Sequence, residues 1–177
     1  MLYQMYRQAL RGYRDWRANE PIYLQLNTGR HLQLSPRRQA SLTVGMHPER
    51  PEFQYVIQSL TRLKSLAAEH HTSVVLVIQP DKELIYLPLS GASAVDASFY
   101  LRPEIERLAF NYVDTTPVFQ QRAAAGEQLF FETDGHPNNT GYRLIAQAVL
   151  AHVRQHAASY GLSLGPKFAE NAQSANP

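Results

Sequence analysis

The sequence predicts an α/β fold built on a parallel sheet, and three observations carry that reading. A long helical pattern runs directly into an uninterrupted aliphatic strand, helix and strand alternate again downstream, and a last amphipathic helix follows a loop rich in Gly, Pro and Asn.

Taken in order, residues Leu2 to Arg17 space Leu2, Tyr3, Tyr6, Leu10, Tyr13 and Trp16 as an amphipathic helix does, weakened by Gly12. Ile22 to Leu26 and His31 to Leu34 alternate apolar and polar residues around Asn27-Thr28-Gly29-Arg30, which predicts a small N-terminal hairpin. Ser35 to Pro51 reads as an irregular, Pro-bearing connection. From Glu52 to about His70, Phe53, Val56, Ile57, Leu60, Leu63 and Leu66 recur at helical spacing. Ser73 to Ile78 is then a continuous aliphatic run, the pattern of a strand buried on both faces and hence of parallel pairing. A second helix is expected from Asp96 to about Phe110, with Pro103 restricting it, followed by a short strand at Tyr112-Val113-Asp114. Pro117 to Gly126 reads as helical, Gln128 to Phe131 as extended, and Thr140 to Tyr160 as a long amphipathic helix.

Composition narrows the function classes. The chain has 177 residues, 44% of them hydrophobic, which is enough for one core. Its 17 Lys and Arg face 15 Asp and Glu, and the arginines are dispersed, so no nucleic-acid partner is expected. Cysteine is absent, which excludes disulfides, thiolate nucleophiles and thiolate metal sites. The first residues lack a signal-peptide layout, and no stretch approaches the roughly 18 apolar residues of a membrane span, so the compartment stays open. After Leu164 the chain is small and polar, so residues 165–177 are expected to be a disordered tail behind a single domain at 1–164.

The chemistry concentrates in Thr133-Asp134-Gly135-His136-Pro137-Asn138-Asn139-Thr140-Gly141-Tyr142, between the extended segment and the last helix. A histidine serves as general base near neutral pH when a carboxylate fixes its tautomer and stabilises the imidazolium it becomes. Asp134 and His136 supply both groups. The same residues also read as an Asp-Gly turn, a helix cap at Asn139 or Thr140, and a solvated loop histidine. His70 and His71 are adjacent and point different ways, His31 and His47 lack partners, and His152 and His156 share a solvated helix face; no metal and no cofactor are expected.

Asp134-Gly135-His136-Pro137-Asn138-Asn139-Thr140-Gly141-Tyr142 resembles the final block of SGNH-type (GDSL-like) hydrolases. One residue separates the pair, rather than the two common in the classical family, and that spacing resembles the branch containing alginate O-acetyltransferase-like and uncharacterised bacterial proteins. Val75-Leu76-Val77-Ile78-Gln79-Pro80-Asp81-Lys82-Glu83-Leu84-Ile85-Tyr86 is similar to the strand-Pro-x-Lys-Glu-x-x-Tyr stretch of that branch, and Tyr112 to Phe119 fits the strand leading toward the catalytic block. The resemblance covers about residues 50 to 155. It implies a partial flavodoxin-like three-layer parallel sheet with flanking helices, and an acyl-ester hydrolase or O-acyltransferase in which Asp134 orients His136 as general base. Asn138 and Lys82 become candidates for substrate contact, with an acylated small molecule or carbohydrate as partner. Read from the residues alone, Lys82 and Glu83 are a solvent-facing pair at a helix start and Asp114 a strand-end cap.

The serine block and the oxyanion-binding Gly and Asn of that family are not visible. Gly91-Ala92-Ser93 comes nearest but does not follow a buried strand. The expectation is the C-terminal part of such a domain, with Met1 inside it and the nucleophile supplied elsewhere, as by a partner chain, and with self-association through the sheet edge that the missing first strand would leave unpaired. Two readings stand beside it: a non-catalytic scaffold or binding domain, associated with carbohydrate, and an esterase that uses Ser93.

Overall fold

The computed structural model describes residues 20–163 and 165. The helix expected at Leu2 to Arg17 and nearly all of the expected tail lie outside the described residues.

The hairpin forms as its alternation requires. Strands β1 (Ile22–Gln25) and β2 (His31–Leu34) pair antiparallel, Ile22 opposite Leu34 and Gln25 opposite His31. Leu26 N–H donates to Arg30 O at 2.8 Å across the turn, where Gly29 takes the positive φ of 79° that side chains resist. Leu32 and Leu34 are buried, while Tyr23 faces solvent. The stretch expected to be irregular instead contains helix α1 (Pro36–Gly45). Pro36 read as a breaker but is the first helical residue, where its missing N–H is not needed.

Helix α2 (Pro51–Glu69) likewise begins at a proline, with Glu52 favourably placed in its first turn. It delivers the chain into β3 (Val75–Ile78), which pairs in parallel with β4 (Asn111–Asp114), Val75 opposite Asn111 and Ile78 opposite Asp114. Ile78 is buried, but Val77 is 41% exposed, which corrects the expectation of a strand covered on both faces. Among the described residues this sheet has two strands, β3 and β4.

After β3, Asp81 caps the short helix α3 (Lys82–Tyr86) by accepting from Leu84 N–H at 2.8 Å. The helix expected from Asp96 shortens to α4 (Leu101–Arg107), because the Asp96 carboxylate accepts from Ser98 N–H and Oγ–H at 2.9 and 2.6 Å and holds that segment as a turn. Pro103 falls within the first turn of α4, where it is tolerated. Helix α5 (Thr116–Ala124) follows β4, and α6 (Asn139–Gln155) follows the Asp-Gly-His loop.

Two sets of contacts fix the carboxyl end of β4, one to β3 and one to α4. Thr115 donates from both N–H and Oγ–H to Ile78 O, at 3.0 and 2.8 Å. Arg102 bridges Asp114, at 2.8 Å from Nε, and Asp96, at 2.5 Å, locking α4 and the turn before it to the end of β4. Asp114 also caps α5 through Thr116 N–H at 2.9 Å, so the expected strand-end cap is present together with an ion pair. The larger core joins the hairpin, α3, α5 and α6 around Leu32, Leu34, Tyr86, Phe119, Leu129 and Phe130. The last two belong to the segment that enters the Asp-Gly-His loop, so the loop grows directly out of the core.

Candidate active site

The loop is closed at its base. Phe131 N–H donates to His136 O at 3.1 Å, Phe130 and Pro137 form an isolated bridge, and Asn138 N–H donates to Leu129 O at 2.9 Å. Pro137 is fully buried, whereas the Asp134 and His136 side chains above it are 53% and 67% exposed. A buried base and a solvated tip are what a loop needs if it is to present two polar side chains in one geometry.

Asp134 Oδ1 accepts twice from the same residue, from His136 Nδ1 at 2.5 Å and from His136 N–H at 3.0 Å. The side-chain bond from His136, followed by the backbone bond, holds the Asp134 carboxyl below its ordinary value of 3.8. Ionised at neutral pH, Asp134 can only accept, so Nδ1 of His136 carries the hydrogen. Neutral His136 then has its lone pair on Nε2, directed away from Asp134. The contact thus fixes the tautomer of the neutral ring.

Asn138 and Lys82, from which the sequence suggests substrate contact, both hold main chain. Asn138 Oδ1 caps α6 by accepting from Thr140 and Gly141 N–H at 2.9 and 3.1 Å, while Nδ2 donates to Gln128 O and Phe130 O at 2.8 and 3.3 Å. One side chain therefore ties the segment entering the loop to the helix leaving it. Lys82 is 1% exposed and donates to Phe131 O and Glu132 O at 3.4 and 3.2 Å, from beneath the loop entry. Its neighbour Glu83, 2% exposed, accepts from Ser35 N–H at 3.0 Å. The solvent-facing reading of this charged pair is overturned: α3 is buried along its whole length, and the two side chains satisfy backbone groups of neighbouring segments.

His136 receives no hydrogen bond from a serine hydroxyl among the described residues. Ser90 and Ser98 are turned to Leu87 O and Asp96, and Ser93 does not bond His136. Among the described residues no three His, Asp or Glu side chains converge on one point, and no helix is long and apolar enough to cross a membrane. Sequence reasoning placed Tyr86 and Gly141 in the matching stretches without giving either a role, and missed the Arg102 bridge. Of these, Tyr86 was accessible in principle, because it lies four residues from Lys82 and so on the same helix face.

A family model described as SGNH hydrolase-like domain, acetyltransferase AlgX, matches residues 40–176. Among solved structures, the O-acetyltransferase domain of Pseudomonas putida AlgJ is similar at 18% identity and a TM-score of 0.54, over 83% of this chain and 51% of that one. The chain spans about half the length of that structure, and the likeness shows the same α/β fold. No curated protein matches. With more than half of its length matched by that model, the chain belongs to the SGNH hydrolase-like, AlgX-type acetyltransferase domain family.

Proposed function

We propose that this chain contributes the base of an O-acyltransferase or acyl-ester hydrolase site, with His136 as general base and Asp134 as the group that orients it. The observation that carries the reading is the 2.5 Å contact between Asp134 Oδ1 and His136 Nδ1, which leaves Nε2 free to take a proton. A base so placed activates a hydroxyl nucleophile, and the imidazolium it forms returns the proton to the leaving oxygen. The nucleophile is a serine from outside the described residues, and the acyl group comes from an acylated small molecule or carbohydrate.

Acyl transfer from p-nitrophenyl acetate to an oligosaccharide, followed by mass spectrometry, tests the reading against His136→Ala and Asp134→Asn. Acetylated product that disappears in His136→Ala and falls by about 10²–10⁴ in Asp134→Asn supports it. Equal product above the protein-free rate with all three proteins overturns the role of His136, whereas near-zero product from all three is the outcome expected of a base without its nucleophile and sends the search to a serine-bearing partner.

A second reading is a non-catalytic domain that holds carbohydrate. It is favoured by Phe131 and Tyr142, which flank the pair in sequence and are 49% and 50% exposed. Oligosaccharide binding that is lost in Phe131→Ala, without transfer, distinguishes it.

A further inference from the structure

We propose that Lys82 and Tyr86 are a pair of positioning residues that together fix the register of the segment carrying Asp134 and His136; this rests on the catalytic role proposed above for that pair. The two residues stand four apart on α3 and are both fully buried, at 1% and 0% exposure. Both direct their polar atoms at the main chain of one short segment. Tyr86 Oη–H donates to Glu127 O at 2.5 Å and accepts from Leu129 N–H at 3.0 Å. Lys82 Nζ donates to Phe131 O at 3.4 Å and Glu132 O at 3.2 Å. One helix face thereby grips the chain at both ends of Glu127 to Glu132, and Asp134 follows two residues later.

Polar atoms in a core are costly unless bonded, and an ammonium is costlier than a hydroxyl. A Leu and a Phe would fill this space without that cost, so apolar packing does not account for Lys82 and Tyr86. What their bonds supply is register. In extended chain a slip of one residue turns each side chain to the opposite face. Here it would bring Phe130 out of the core and move Asp134 away from its place above Pro137. The β2 strand adds a third hold, since Gln33 N–H donates to Glu132 O at 2.9 Å. Every group gripped is a backbone atom, so the grip specifies where the chain lies and not which side chains it carries. The Lys-Glu-x-x-Tyr stretch therefore serves the site from behind, without touching a substrate.

The test compares the full chain with Lys82→Met and Tyr86→Phe, using two measurements that need no substrate. One is the NMR titration of the Asp134 carboxyl; the other is amide exchange at His136 and Asn138, with the interior of α6 as internal control. Lys82→Met is expected to remain folded, to speed exchange at His136 and Asn138 by about tenfold while α6 is unchanged, and to let the Asp134 titration rise toward that of an ordinary carboxyl as its bonds from His136 loosen. Tyr86→Phe is expected to speed exchange at Leu129 and Asn138. A folded Lys82→Met protein with wild-type exchange and wild-type Asp134 titration overturns the proposal. If Lys82→Met does not fold, unchanged exchange in Tyr86→Phe overturns it instead. Failure of the catalytic reading shows separately, as transfer that does not depend on His136 in the wild-type background, and leaves these measurements standing.

Discussion

Gly141, in the first turn of α6, lies directly against the carbonyl oxygen of Leu129. A Cβ added there would overlap that oxygen and stand 2.8 Å from Cβ of Pro137. The same carbonyl accepts Asn138 N–H at 2.9 Å, so the helix start and the loop base share one close contact. Neither neighbour is the end of a flexible side chain. Gly141→Ala is expected to lower stability by about 2–4 kcal/mol, read from urea unfolding. A wild-type midpoint would show that α6 moves off the loop at little cost.

Asn138 combines a cap with two ties to the segment that enters the loop. Its replacement by Ala is expected to cost about 2–3 kcal/mol, of which about 1–2 belongs to the cap. Asn138→Asp keeps the acceptor and loses the donors, so its loss should be smaller. If the two variants unfold at the same midpoint, the cap contributes nothing and the bonds to Gln128 O and Phe130 O account for the whole loss.

Stability is expected to fall at high pH through Tyr86. Burial raises its phenol from 10.0 to about 12, against the bond from Leu129 N–H. A folded-state value above the unfolded one means that the folded chain holds its proton longer. The contribution is complete below pH 10 and is lost as pH rises toward 12. Tyr86→Phe should flatten the decline between these limits when unfolding is followed from pH 9 to 12, and an unchanged slope would contradict the assignment.

At the acid end the signs reverse. Asp134 is lowered by its bonds from His136; for Asp96, burial opposes the shift, but bonds from Ser98 and Arg102 outweigh it. The stability each contributes is present above the ordinary carboxyl value of 3.8 and is lost as pH falls below it. Asp96→Asn should weaken that acid dependence, as measured by unfolding between pH 5 and 2.

Arg102 stands between two carboxylates at 23% side-chain exposure. Arg102→Leu leaves both without their cation and is expected to cost about 1–3 kcal/mol, between the values for surface and buried pairs. Adding Asp96→Asn should recover part of the loss, and strict additivity of the two changes would show that they do not interact.

Where local pattern decides structure, the sequence was sufficient. The Ile22 to Leu34 alternation became the hairpin, the apolar spacing from Phe53 to Leu66 became α2, and the aliphatic run became a parallel strand. The spacing of Asp134 and His136 was enough to pair them, because the contact is formed within one tight loop. What the sequence concealed depends on partners distant along the chain. Lys82 looks solvated until the carbonyls of Phe131 and Glu132 are brought over it, and Arg102 gains its meaning from Asp114 on another element. Asn138, whose type suits a substrate contact, turned out to be occupied by the backbone on both sides. Pro36 illustrates a different limit, since proline is a residue type that stops a helix in its interior and can also begin one.

The anchors of the Asp-Gly-His loop fall almost entirely on peptide groups, namely the carbonyls of Gln128, Leu129, Phe130, Phe131 and Glu132. The side chains of Phe131, Glu132 and Thr133 stand in solvent. Mutational drift at these three positions can therefore remodel what surrounds the pair while the pair itself keeps its place.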